Sequence, residues 1–375
     1  MQQTVSMRLR IIPDSCQAEL LKRTMKVYSE ACNYVSDYIF RTHDLTQSGL
    51  QKALYYSIRE SFSLPAQMAQ SVMRTAISAF KTILTNEKKW IMPDFRHLQL
   101  DLVRNRDRSF TKDMTVLSLN TLEGRIKVSF YRQGYEKYFS DGYRFGTAKL
   151  VYKRGRFYVH IPVTYEIDEL SMPDVVNVVG IDRGIRFLAV SYDDNGKTVF
   201  YDGSQVKVKR AHFKDTRKSL QEKGTPSARK KLREIGQREN RYVNDVNHCI
   251  AKALVTSNPE GTLFVLEDLS GIRGATERVR KGNRYLTVSW PYHDLEQKLI
   301  YKAAANHQRV VKVDPAYTSQ TCPECGHTEK ANRDKRNHIF RCTCCGYTSN
   351  DDRIGAMNLH RMGRELTVPG ADARE

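Results

Sequence analysis

The spacing of hydrophobic positions changes character along the chain and divides it into blocks. Residues 5–12 (VSMRLRII) alternate apolar and polar side chains, the period of a half-buried strand. Pro13-Asp14-Ser15 then reads as a helix start, and Leu20, Leu21, Val27, Tyr28, Ala31, Val35 and Tyr38 recur at helical spacing. Leu50 to Phe62 and Ala66 to Glu87 continue the helical pattern, which predicts a helical region over 15–92. From 93 to 170 the runs shorten. TVLSLN, RIKVSFY and AKLVYKRGRFYVHIPVTYEI are β-branched and aromatic, broken by Gly and Asp turns. They predict a small antiparallel β-barrel or sandwich, joined by the first strand at 1–14.

After a linker at Ser171-Met-Pro-Asp174 the order becomes definite. VVNVVGID (175–182) is a buried-type strand, followed by strands in RFLAVSY (186–192) and KTVFYDG (197–203) around a turn at Asp193-Asp-Asn-Gly196. A long basic helical stretch comes next, with Ile235, Tyr242, Val246, Ile250 and Leu254 on one face. TLFVLED (262–268) is a fourth strand, Tyr292 to Asn306 a helix, RVVKVD (309–314) a fifth strand and Asp351 to Arg361 a last helix. The tail from Gly363 reads as disordered. Three antiparallel strands, then helix, strand, helix, strand, helix, is the order of a ribonuclease H-like nuclease fold.

Carboxylates stand at the ends of these elements. Asp182 closes the first strand of this block in GIDRG, Glu267 closes the fourth in VLEDL, and Asp352 opens the last helix in NDDRIGAMNL. Such a fold brings the three to one sheet edge. Phosphodiester hydrolysis by paired divalent ions needs carboxylates converging in this way, and oxygen ligands select Mg²⁺ or Mn²⁺. Each has a plainer reading: Asp182 as a turn residue before Gly184, Asp268 in place of Glu267, Asp351 in place of Asp352. Strand phase puts Glu267 on the face of Leu263 and Val265, and helix phase puts Asp352 with Gly355, Ala356 and Leu359. Asp351 suits the first turn, where it complements the helix dipole.

Between the fifth strand and the last helix lie two C-x-x-C-G knuckles, Cys322/Cys325 and Cys342/Cys345. Paired knuckles at this distance complete a tetrahedral thiolate site for a structural Zn²⁺. Two disulfides or chance clustering are the alternatives. Cys344 is a bystander, and Cys16, Cys32 and Cys249 read as buried thiols.

The chain of 375 residues carries a net charge of +19, which favours a polyanionic partner, nucleic acid first. No apolar run approaches membrane length and no export signal opens the sequence, so a cytosolic protein is expected. Residues 204–241 hold thirteen Lys and Arg against four Asp and Glu, a stripe that could track phosphates through Lys207, Lys209, Arg210, Arg217, Arg229 and Lys230. The Gly- and Arg-rich loop after Glu267, with Arg273, Arg280 and Lys281, reads as a lid over the cleft. Gln67, Gln70 and Arg74 line one helical face and could read a short duplex element. A solvated surface is the plain reading of the basic stripe and of the glutamine face, and an ordinary flexible loop that of the lid.

GIDRGIRFLAV, VLEDLSG, YTSQTCPECGH, RCTCCGY and NDDRIGAMNLH, in that order, resemble the TnpB family of transposon-encoded RNA-guided DNA endonucleases, relatives of the type V CRISPR effectors. The resemblance covers 175–362. It departs at Ile354 and Gly355, where the family often has asparagine and alanine. It implies a multidomain α+β fold: a helical recognition domain (15–92), a β-barrel wedge (93–170, with the first strand at 1–14), and a RuvC-like, ribonuclease H-like α/β nuclease core. The core would span 171–320, with a basic helical insertion at 204–256 and a lid at 271–290. A zinc-bearing nucleic-acid-binding module (321–346), a last RuvC segment (347–362) and a disordered tail (363–375) would follow. Asp182, Glu267 and Asp352 fall on the catalytic, magnesium-binding triad, and the four cysteines on the zinc ligands. The resemblance further implies a guide RNA from the transposon and a double-stranded target beside a short motif. One protein would act with one RNA, in a prokaryotic cytoplasm at the nucleoid. An RNA-guided DNA-binding regulator without cleavage, and a protein-only nuclease or transposase, are the alternatives.

Overall fold

In the computed structural model, which describes residues 2–269 and 292–368, the alternating opening segment forms β1 (Gln2–Ile12), with Met7, Leu9 and Ile11 buried. The chain divides into two units, one spanning Gln2–Glu166 and one running from Ile167 onward.

In the first unit β1 pairs antiparallel with β8 (Arg156–Glu166) along most of its length and with β5 (Gly124–Tyr131) at its end. β2 (Gln99–Leu102), β3 (Arg108–Phe110), β4 (Val116–Thr121), β6 (Arg144–Phe145) and β7 (Ala148–Lys153) complete an eight-stranded sheet of order β2-β7-β8-β1-β5-β4-β3, with β6 on β8. Three helices follow β1: α1 (Ser15–Thr42), α2 (Gln47–Phe62) and α3 (Ala66–Glu87). Asp14 starts α1 as a capping box, its carboxylate accepting from the Gln17 N–H at 2.8 Å. Leu21, Met25 and Tyr28 of α1, Met68 and Val72 of α3, and Met7, Leu9 and Val159 of the sheet belong to one hydrophobic core. The helical stretch and the sheet thus share an interior, because the apolar faces of α1 and α3 need a partner and the sheet supplies one.

The second unit is built on a five-stranded sheet of order β11-β10-β9-β12-β13, formed by β9 (Asn177–Asp182), β10 (Phe187–Asp193), β11 (Thr198–Asp202), β12 (Thr262–Glu267) and β13 (Arg309–Val313). β10 runs antiparallel to β9 and β11, whereas β12 runs parallel to β9 and β13. Both faces are covered. Val179, Ile181, Phe264 and Leu266 pack against Val243, Ile250, Leu254, Leu295 and Leu299. On the other face Val178, Leu263 and Val265 meet Leu359 of the last helix. β9 and β12 are buried on both sides, which is why they read as continuous apolar runs.

The basic stretch departs from the expected single helix. It forms α4 (Ser204–Lys223), α5 (Pro226–Ile235) and α6 (Arg238–Thr256). Gly224 and Gly236 adopt positive φ, and Thr225 caps α5 ahead of Pro226, so the chain turns twice. α7 (Tyr292–Ala304) precedes β13. The four-cysteine segment carries a small sheet of β14 (Arg333–Asp334), β15 (Ile339–Arg341) and β16 (Thr348–Asn350). β16 leads directly into α8 (Asp351–Leu366), capped by the Asn350 side chain. α8 runs three residues past Gly363, where the sequence reading began a disordered tail. Cys32 is buried, but Cys16 and Cys249 are exposed, against the expectation of three buried thiols. Among the described residues no helix is long and apolar enough to cross a membrane.

Candidate active site

β9, β12 and α8 each end or begin at one cleft of about 770 Å³. Asp182 closes β9, Glu267 closes β12, and Asp352 lies in the first turn of α8, and all three line this cleft. Parallel pairing of β9 with β12 puts the two strand ends side by side. α8 can approach because β9 carries Gly180, where a Cβ would lie 2.1 Å from the Ala356 carbonyl oxygen. One residue earlier on the helix, a Cβ on Gly355 would lie 3.0 Å from Asp182 Cγ. The Gly355 that departs from the family pattern therefore makes room for the Asp182 carboxyl.

Charge in the cleft is concentrated. Burial, then the Glu267 and Asp352 carboxylates, push Asp182 well above the ordinary carboxylate range. Burial raises Glu267 and, together with neighbouring Asp351, Asp352. Three mutually repelling carboxylates with hard oxygen donors are the donor set that a divalent cation such as Mg²⁺ or Mn²⁺ suits. Basic side chains also reach the cleft: Arg186, Lys207, Arg333 and His338 line it.

The competing acids separate. Asp268 pairs with Lys312 at 3.4 Å and does not line the cleft. Asp351 is fully buried, accepts from Arg333 Nε at 2.8 Å and lies 3.3 Å from His338 Nδ1. Arg333 also donates to Ser319 Oγ at 2.7 Å. His338, Asp351 and Asp352 form a cluster of side chains that could hold a metal ion. Behind the strand ends the buried Arg183 donates to Glu296 at 3.0 Å and to the Glu267 carbonyl oxygen at 2.5 Å, tying β9, β12 and α7 together.

The four knuckle sulfurs, Cys322, Cys325, Cys342 and Cys345, all lie within 4.8 Å of one another. Cys322–Cys345 and Cys325–Cys342 are 3.6 Å apart. Tetrahedral ligation with metal–sulfur bonds of about 2.3 Å places sulfurs roughly 3.8 Å apart, so the quartet fits one ion; disulfide sulfurs would stand at about 2.05 Å. Gly326 and Gly346, both at positive φ, close the knuckles through N–H bonds to the Cys322 and Cys342 carbonyls, each 3.0 Å. The Cys345 amide points at Cys342 Sγ and pulls that thiol down to about 6. Cys344 lies outside the cluster. Cys322, Phe340, Cys342 and Ile354 form a small core that joins the knuckles to α8.

The basic candidates divide. Lys207 reaches the cleft, and Lys209 lies over the Tyr242 ring at 4.5 Å. Arg229 and Lys230 are exposed on α5. Arg210 corrects the expected stripe: it is buried and bonds Glu239 at 3.1 Å, because α6 folds back beside α4 after the two glycine turns. Arg217 is partly exposed and shares Glu239. Gln67, Gln70 and Arg74 lie on α3, the glutamines half-buried and Arg74 exposed beside two grooves. Arg273, Arg280, Lys281 and the lid at 271–290 lie outside the described residues. Sequence reasoning missed Arg183, Thr318, Arg333 and His338. Thr318 stands inside the quoted YTSQTC stretch, whereas Arg333 and His338 fall between the knuckles, where no motif singles them out.

Comparison with known proteins gives the same region. The OrfB_IS605 transposase model matches residues 160–270, and the Cas12f1-like TNB domain model matches residues 292–359. A CRISPR-associated endodeoxyribonuclease Cas12f1 of Syntrophomonas palmitatica is 30% identical over 225 residues, 56% of this chain and 44% of the relative. The TnpB-like protein MJ0751 of Methanocaldococcus jannaschii is 25% identical over 249 residues, 64% of this chain and 88% of that protein. The chain spans about half the length of the Cas12f1 proteins it matches. In fold it is similar to the protein of a Cas12f1–sgRNA–target DNA complex, with a TM-score of 0.57 and 16% identity over 94% of this chain and 82% of that one.

Proposed function

We propose that this chain, which belongs with the TnpB-like and Cas12f proteins, is an RNA-guided DNA endonuclease with a RuvC-like, ribonuclease H-type core. The observation that carries the reading is the convergence of Asp182, Glu267 and Asp352, from three elements, on one cleft. In this reading the three hold Mg²⁺ or Mn²⁺. Such ions supply an activated water and a counter-charge for the leaving oxygen. The chain's own part is to fix the carboxylates on two strand ends and a helix start, and to offer Arg186, Lys207 and Arg333 to the phosphates. Zn²⁺ in the four-cysteine site is structural, since four thiolates leave no open position.

Sequence choice is delegated to pairing between the guide RNA and the target strand, and the protein reads a short flanking motif. The guide comes from the transposon, one protein acts with one RNA, and both strands pass through the single site. Gln67, Gln70 and Arg74 are the candidate motif readers. Lys207, Lys209, Arg217, Arg229 and Lys230 are candidate backbone contacts, with Arg273, Arg280 and Lys281 beyond the described residues. The setting is a prokaryotic cytoplasm, at the nucleoid.

The test is incubation of purified protein and guide with matched duplex and Mg²⁺. Cleavage that needs both RNA and metal supports the reading. Tight binding without cleavage favours a DNA-binding regulator, and cleavage after ribonuclease treatment favours a protein-only nuclease.

A further inference from the structure

The geometry points to Thr318 as the residue that positions Glu267 for cation binding. The Thr318 hydroxyl donates to Glu267 Oε1 at 2.5 Å. Among the described residues it is the one side chain hydrogen-bonded to that carboxylate. One oxygen is thereby committed and the rotation of the group fixed, while the other makes no hydrogen bond among the described residues.

Thr318 is itself held from two sides. It is 4% exposed, and its carbonyl oxygen accepts from Asn358 Nδ2 at 2.7 Å. The same amide reaches the Thr321 carbonyl at 2.8 Å. Asn358 is 2% exposed and sits six residues after Asp352 on α8, so one helix carries a proposed ligand and also braces the loop that orients another. The preceding Tyr317 is 63% exposed and has a φ of 62°, a left-handed conformation that strains a non-glycine residue. Its carbonyl accepts from the Gln320 and Thr321 amides at 2.9 and 3.1 Å, which hold the turn. Partners of metal-binding carboxylates that fix their orientation typically change affinity or activity by 10- to 100-fold.

This inference rests on the reading of Glu267 as a cation ligand. The experiment compares Thr318→Val, which keeps the shape and drops the hydroxyl, with Thr318→Ser, which keeps the hydroxyl. Thr318→Ala serves as a second hydroxyl-free variant if valine does not fold, as judged by thermal melting. Mn²⁺ affinity is read by electron paramagnetic resonance on the guide-bound protein, and the cleavage rate is measured in parallel. The expected result is at least a tenfold loss of Mn²⁺ affinity in the hydroxyl-free variants, near wild-type affinity in Thr318→Ser, and unchanged DNA binding. Equal affinity in all variants, or a serine variant as weak as valine, overturns the positioning role. Wild-type protein that binds Mn²⁺ with the expected variant pattern yet cuts no DNA overturns the nuclease reading and leaves Thr318 assigned. Wild-type protein that binds no Mn²⁺ overturns both.

Discussion

Arg333 Nε donates to Asp351 at 2.8 Å, one residue before Asp352 in the first turn of α8. The pair is asymmetric: the Asp351 side chain is fully buried, whereas that of Arg333 is 23% exposed. Removing the cation strands a buried carboxylate that keeps His338 as its side-chain partner among the described residues, and removing the anion leaves a guanidinium that water can reach. Arg333→Ala is therefore expected to cost about 3 kcal/mol and Asp351→Asn about 1 kcal/mol, measured by denaturant unfolding. The reverse order would show that the pair does not carry this weight.

Asp182→Ala is expected to abolish cleavage and leave guide-dependent DNA binding intact. Retained cutting would remove Asp182 from the site. Asp182→Asn has a second consequence, in stability. The folded chain holds the Asp182 carboxyl above its ordinary value, so the wild type's stabilising contribution is the protonated form. That contribution is full below the ordinary carboxylate range and is lost as pH rises through the folded value. In magnesium-free buffer near neutral pH the asparagine variant should melt a few degrees higher, with the difference vanishing near pH 4. A variant that melts lower at pH 7 contradicts this.

Replacing Cys342 and Cys345 by serine is expected to remove one zinc ion per chain, read by mass spectrometry of the metal. It should also slow cleavage at least tenfold, because the knuckles share a small core with α8 through Phe340 and Ile354. Full cleavage by a stably folded double variant would uncouple the module from the third carboxylate.

Gly180→Ala should destabilise the chain by about 3 kcal/mol, the upper end of overpacking costs, since the new methyl would meet backbone atoms of α8 at 2.1 and 2.3 Å. Gly355→Ala is milder, because its Cβ meets a side chain at 3.0 Å. A melting temperature for Gly180→Ala equal to wild type would mean that strand and helix are not held this closely.

The central strands β9 and β12 were legible because burial on both faces writes continuous apolar runs, and VVNVVGID and TLFVLED end on the acids that line the cleft. The knuckles were legible because ligation demands fixed short spacings. Contacts made across long separations leave no such trace. Thr318 meets Glu267 over 51 residues, and Arg210 meets Glu239 over 29. A lysine- and arginine-rich stretch reads as a solvated stripe until a fold-back buries one of its members. The break at Gly236 was hidden because the apolar face resumes on the same period after a single residue in an unusual backbone conformation. The shared core of the first unit was equally silent, since an amphipathic helix announces that it has a partner and not which one.

The cleft draws its acids from positions 182, 267 and 352, so translation must proceed 170 residues beyond the first before the third exists. At about 5–20 residues per second this interval lasts roughly 10–30 seconds. Throughout it a nascent chain lacks the complete donor set, and so does any product of premature termination within that span. On the proposed reading of the cleft, such a chain stays chemically silent until its ribosome has passed Asp352, with no inhibitor required.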